Sequence, residues 1–139
     1  MNSELEDKIK EINTEDFIWL IYIGIIFLSW YSNSQERKYF VFKDNVAKDK
    51  YRFIIKIIFF ILIFVYLYFL KDSIDGLKKL KPSDSEKKKR LVYLSFVSSL
   101  LIAISGFIFL YLAFADENLD VELAFNWCFF LFYYWLTYQ

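Results

Sequence analysis

Apolar residues fall into four long blocks, and the charged residues lie almost entirely outside them. The blocks cover residues 17–35, 53–70, 91–115 and 123–139. Neither the first nor the third contains a charged residue, and the second contains only Lys56. A helix of about 20 apolar residues crosses the roughly 30 Å of hydrocarbon in a bilayer. The pattern therefore predicts an integral membrane protein instead of a soluble domain.

The predicted spans are helices, because lipid offers no hydrogen-bond partner for backbone groups and four segments are too few to close a barrel. We expect one all-α membrane domain over residues 1–139, with four transmembrane helices packed as a small bundle. The spans cover approximately residues 15–35, 53–71, 90–115 and 121–138. Two basic loops, over residues 36–52 and 72–89, join the first three spans.

The fourth block leaves two alternatives open. It has only 17 residues and is rich in aromatic side chains, among them Trp127, Tyr133 and Trp135. Seventeen residues are at the lower limit for a span, and tryptophan and tyrosine favour the membrane–water interface. This segment therefore either crosses the membrane or lies in the headgroup plane.

Three local signals predict helix boundaries. A capping-box pattern, Ser3 with Glu6, predicts a short N-terminal amphipathic helix ahead of the first span. The same pattern in Ser83 and Glu86 predicts a third helix that begins in water near residue 84. Gly76 predicts a turn or helix stop after the second span.

Composition argues against several kinds of chemistry. The chain has no histidine, three glycines and one cysteine, Cys128. Histidine is the commonest general base and the commonest metal ligand, and phosphate-binding loops are rich in glycine. Seventeen basic residues balance seventeen acidic ones, which disfavours nucleic-acid binding. We expect no enzymatic activity, no cofactor, no metal site and no nucleic-acid partner.

The distribution of basic residues predicts the orientation. Residues 1–16 carry two basic side chains, residues 36–52 carry six and residues 71–90 carry eight. With the N-terminus inside, ten basic residues face the cytoplasm and six face outward, which satisfies the positive-inside rule. A re-entrant second block would bring both basic loops inside, but residues 53–70 contain no Gly or Pro for the turn. We expect a multi-pass cell-membrane protein with both termini cytoplasmic.

Small residues at helical spacing in the third block predict a packing ridge formed by Ser95, Ser99, Ala103 and Gly106. Such ridges let two helix backbones approach closely, and hydroxyl groups can bond across the contact. Two interpretations stay open. The ridge packs within this chain, or it binds a second membrane protein or another copy of the chain.

Polar residues near the span ends predict a second contact. Lys56 in the second span and Glu122 with Asn126 in the fourth enter the membrane from the same side, at similar depth. They are expected to form an intramembrane polar pair, or Lys56 extends its ammonium to the interface and Glu122 is simply interfacial. A separate basic run, Lys87, Lys88, Lys89 and Arg90, is expected to contact anionic lipid headgroups.

The functional expectation follows from these features. The chain is expected to act as an accessory, scaffold or assembly subunit through helix–helix contacts in the lipid bilayer. The alternative is an oligomeric pore of the holin or channel type, in which several copies surround a hole lined by the serines of the third span.

Overall fold

The computed structural model describes residues 3–120, and three helices make up most of this part. They are α1 (Ser3–Phe42), α2 (Asn45–Lys78) and α3 (Glu86–Ala115). The all-helical prediction is confirmed over the described residues, and all three helices are long and apolar enough to cross a membrane. The fourth predicted helix lies outside these residues, so the structure supports three helices of spanning length.

Helix α1 is longer than the first apolar block predicts. Its 40 residues extend over roughly 60 Å, about twice the hydrocarbon thickness. The separate N-terminal amphipathic helix is not found, because residues 3–16 are the first turns of α1 itself. This segment contains neither Gly nor Pro, so nothing in it interrupts the helix. A Lys8–Glu11 ion pair of 3.0 Å spans one turn of its exposed surface.

The connection predicted as a basic loop over residues 36–52 is mostly helical. Only Lys43 and Asp44 separate α1 from α2. Lys43 adopts a left-handed conformation with φ of 55°, and its N–H donates to the Tyr39 carbonyl at 2.7 Å. The Asp44 carboxylate accepts from the N–H groups of Val46 and Ala47, at 2.9 and 3.2 Å. These are a left-handed C-terminal cap and an Asp N-cap, which together make a two-residue turn.

The second connection is shorter than the predicted basic loop over residues 72–89, because only residues 79–85 lie between α2 and α3. Gly76 does not stop α2, which continues to Lys78, and its φ is not positive. The residues around it form helix readily, and one glycine inside a helix costs only about 1 kcal/mol. The N-cap of α3 is Ser85 and not Ser83, since the Ser85 hydroxyl accepts from the Lys88 N–H at 3.3 Å. The end of α3 at Ala115 agrees with the predicted span.

Asp84 organises the turn before α3. Its carboxylate accepts the Lys81 N–H at 2.9 Å and the Lys88 ammonium at 2.8 Å. The Lys81 hydrogen bond, followed by that of Lys88, holds the pKa of Asp84 below its ordinary value. A lowered pKa means that the ionised group stabilises the turn above about pH 4 and that this stabilisation is lost as the pH falls further.

We therefore expect the first turn of α3 to loosen selectively in acid. Amide hydrogen exchange, corrected for the intrinsic effect of pH, should rise at the start of α3 below about pH 4. Asp84→Asn removes the ionised acceptor, so the variant should show that faster exchange at neutral pH and little further change in acid. An acid response equal in the variant and the original protein would contradict this role of Asp84.

The chain divides into two compact units, Met1–Ile54 and Ile55–Gln139. The first contains α1 and the first turns of α2. One face of α1 is buried in the structure, and its buried residues are Ile18, Ile25, Ser29, Ser32 and Gln35. The second unit contains the rest of α2 and all of α3, and α2 is buried there over Ile55, Ile58, Phe59, Leu62, Ile63 and Val65. In this unit α2 and α3 form an antiparallel hairpin, within which the candidate site lies.

Candidate helix-packing site

The contact of α3 with α2 is narrow. Three residues of α3 are buried, Ala103, Gly106 and Ala113, and all are small. Their spacing of three and then seven residues places them on one side of the helix. Small side chains let the backbones of two helices come close, which is how membrane helices associate without a hydrophobic driving force between them.

Gly106 lies in tight contact with α2. A Cβ atom placed there would lie 2.6 Å from Cδ2 and 2.9 Å from Cε2 of Tyr66 on α2. Real Cβ contacts are essentially never shorter than 3.0 Å. The Tyr66 ring therefore occupies the space that any side chain at position 106 would need. Gly76, in contrast, has only an ordinary contact, with Val92 at 3.8 Å.

Aromatic residues extend the contact toward the C-terminal end of α3. The rings of Phe59 and Phe109 are stacked, with centroids 5.5 Å apart and an interplanar angle of 12°. Further along, the Lys56 ammonium lies 4.8 Å from the centroid of the Phe114 ring. These pairs and Gly106 follow one another in opposite directions along the two helices, as antiparallel packing requires.

The predicted ridge divides into two parts. Ala103 and Gly106 are buried, whereas Ser95 is exposed and Ser99 is half-buried. The Ser99 hydroxyl donates to the Ser95 carbonyl one turn earlier, at 3.0 Å, and so bonds within its own helix. A hydroxyl commonly bonds to the carbonyl four residues earlier when no partner lies on another helix. The contact thus depends on the alanine and glycine of the ridge.

The predicted polar pair is only partly described. Glu122 and Asn126 lie outside the described residues, and their pairing with Lys56 stays a prediction. Within the described part, Lys56 is half-buried and its ammonium lies over Phe114. A cation over an aromatic face gains about 0.5–1 kcal/mol when exposed and about 2 kcal/mol when desolvated. Phe114 therefore gives the Lys56 cation a favourable partner.

We expect Phe114→Leu to lower the free energy of unfolding by about 0.5–2 kcal/mol, because leucine keeps the apolar bulk but has no π face. Phe107→Leu is the matched control, since Phe107 is a similarly exposed phenylalanine of α3. Unfolding of the full chain from mild detergent into dodecyl sulfate, followed by circular dichroism, measures both variants. Equal losses in the two would rule out a specific contribution of the Lys56–Phe114 contact.

The predicted basic run near α3 is partly neutralised by neighbouring acids. Lys88 pairs with Asp84 and Lys89 pairs with Glu86, each at 2.8 Å. The Lys89 ammonium also donates to the Pro82 carbonyl at 3.1 Å. Lys87 and Arg90 are exposed. Lys87 and Arg90 are therefore the two cations of this run that no described carboxylate neutralises.

A polar stripe within α1 was missed by sequence reasoning. Ser29, Ser32 and Gln35 are all buried, at intervals of three residues. Ser29 donates to the Ile25 carbonyl at 2.8 Å, whereas the Ser32 hydroxyl is fully buried and has no hydrogen-bond partner among the described residues. The Nε atom of Arg52 is likewise buried without a partner there. The sequence feature that could have predicted this stripe is the spacing of three polar residues on one face of an otherwise apolar block.

Comparisons with protein-family models, curated proteins and solved structures find no match to this chain. Among the described residues, no group of three or more acidic, cysteine or histidine side chains is placed to hold a metal ion. The site is therefore interpreted from its own geometry.

Proposed function

We propose that the protein is a non-enzymatic accessory or scaffold subunit of a membrane assembly, which acts through helix–helix contacts. The proposal rests on the composition of the exposed surface of α3. Only a narrow stripe of small residues on this helix is buried, and large apolar residues cover the rest, including Leu94, Leu101, Ile108 and Tyr111. In a membrane this surface is available to lipid or to the helix of another protein.

A second candidate function is an oligomeric pore, and one observation favours it. Ser95, Ser98 and Ser105 are exposed on α3 at intervals of three and seven residues, so they share one side of the helix. Several copies that turned this side inward would line a hole with hydroxyl groups. A single chain with three described helices is too small to enclose a water-filled lumen.

One experiment separates the two candidates. The full chain is purified in mild detergent, its oligomeric state is measured, and dye leakage is followed after reconstitution into vesicles. Monomers or hetero-complexes without leakage support the scaffold, and large rings with leakage support the pore. Ser105→Leu should abolish leakage through a serine-lined hole, whereas the control Ile108→Leu should leave it unchanged.

The proposed topology places both termini in the cytoplasm, with residues 36–52 outside and residues 71–90 inside. We expect cysteines at positions 48 and 79 to react with an impermeant thiol reagent from opposite sides of the membrane. The native Cys128 is replaced by alanine first, so that each variant carries one thiol. Labelling of both positions from the same side would overturn this topology.

A further inference from the structure

The turn between α1 and α2 concentrates positive charge in a short segment. Residues 36–52 carry six basic side chains and three acidic ones. The helices shorten this segment in space, since only Lys43 and Asp44 lie outside α1 and α2. Five of the cations therefore lie on the two helix ends, and the sixth, Lys43, lies in the tight turn that joins them. The five are Arg37, Lys38, Lys48, Lys50 and Arg52.

Two of these cations converge on one aromatic ring. The ammonium groups of Lys43 and Lys48 lie 5.6 and 5.4 Å from the centroid of Tyr39. Lys43 also lies 5.9 Å from the centroid of Phe40. A cation–π contact positions an ammonium group without neutralising its charge. The Tyr39 ring thus holds two like charges together, one from the turn and one from the first residues of α2.

The second basic connection is different in this respect. There, Lys78, Lys88 and Lys89 each pair with a carboxylate within 3.1 Å. In the described part of the chain none of the six cations of residues 36–52 forms an ion pair. The positive charge of residues 36–52 is therefore available to an anionic partner.

Exposed apolar residues surround the same turn. Phe40, Val41, Phe42 and Val46 all expose more than half of their surface. Residues 36–42 continue α1 for roughly 10 Å beyond its charge-free stretch, which places the turn near the outer edge of the headgroup region. Aromatic side chains beside lysine and arginine are typical of segments that lie among lipid headgroups.

We propose that residues 36–52 bind the phosphate-bearing headgroups of anionic lipids. Lys43 and Lys48 supply the charge, the half-buried Arg52 adds a third cation at the start of α2, and Phe40 and Phe42 rest among the headgroups. The inference needs the protein to lie in a membrane but does not depend on the scaffold role. It assigns lipid recognition to the α1–α2 turn, in addition to any contact made by the basic run at residues 87–90.

The test measures binding of fluorescent phosphatidylglycerol to the full chain in phosphatidylcholine nanodiscs, which present lipid to both faces of the protein. Each charge removed near an anionic surface should lower affinity by about fivefold. Lys43→Gln with Lys48→Gln should therefore lower it by about 25-fold. Arg52→Gln should lower it by about fivefold, while Arg52→Lys, which keeps the charge, should leave binding nearly unchanged.

The matched control is Lys8→Gln with Lys10→Gln, which removes two cations from residues 1–16, a segment with six acidic side chains. This pair should change affinity by less than about twofold, because a segment with net negative charge does not attract anionic lipid. Equal losses in the two double variants, or equal binding of anionic and zwitterionic lipid, would overturn the proposal. Displacement of the lipid by inorganic phosphate would also overturn it in favour of a site for free phosphate. Circular dichroism checks that the variants keep their helix content.

Discussion

Replacing Gly106 by alanine is expected to lower the free energy of unfolding by about 1–3 kcal/mol, the usual cost of overpacking. The new Cβ atom would lie 2.6 Å from the Tyr66 ring, so the ring or one of the helices must move. Alanine forms helix better than glycine by about 1 kcal/mol in water, and the clash opposes this gain. Leucine at the same position should separate α2 from α3.

Gly24 provides the matched control for this prediction. It also lies within an apolar helix, but a Cβ atom built there meets nothing within 4 Å. Gly24→Ala should therefore be neutral or should stabilise α1 by up to about 1 kcal/mol. The same chemical change is thus expected to have opposite signs at two positions, which a general effect on helix propensity cannot produce.

Unfolding of the full chain from mild detergent into dodecyl sulfate measures both glycine variants. Combining Gly106→Ala with Tyr66→Ala completes a double-mutant cycle, because removal of the ring leaves room for the new methyl group. We expect the two changes together to cost less than the sum of their separate costs. Additive costs, or a Gly106→Ala variant as stable as Gly24→Ala, would show that the two helices do not approach closely at this point.

Some of this fold was predictable from the sequence, because a helix that crosses a membrane requires a long apolar block without charged residues. The third block predicted the end of α3 at Ala115. Helix lengths were less predictable, because the first block ends where charged residues begin, while α1 continues through the charge-containing segments 3–16 and 36–42. No helix breaker lies in those segments, and the absence of a breaker is a weaker signal than a run of apolar residues.

The packing partner of Gly106 was not predictable. The spacing of small residues drew attention to α3, on which Ala103 and Gly106 are buried. It did not show that the ridge would exclude Ser95 or that Tyr66 would fill the groove, because both depend on the register between α2 and α3. Gly76 shows the same limit, since one glycine serves either as a helix stop or as an ordinary helical residue, depending on its surroundings.

Ser32→Ala is expected to raise the free energy of unfolding by about 1 kcal/mol. The Ser32 side chain is fully buried, and its hydroxyl has no hydrogen-bond partner among the described residues. An unsatisfied buried hydroxyl costs about 1–3 kcal/mol, and alanine removes that group with little change in volume. Such a gain would also show that selection has tolerated an unfavourable polar group in α1.

Ser29→Ala is the control for Ser32→Ala, because both changes act on the buried face of α1 and improve helix propensity equally. Ser29 differs in that its hydroxyl donates to the Ile25 carbonyl at 2.8 Å, so its removal loses a hydrogen bond. The difference between the two variants therefore isolates the unpartnered hydroxyl. If Ser32→Ala were the more destabilising, the Ser32 hydroxyl would have a partner in the membrane, either a water molecule or a bound ligand. Intramembrane polar groups of that kind mark functional sites, and the polar face of α1 would then be the place to search for one.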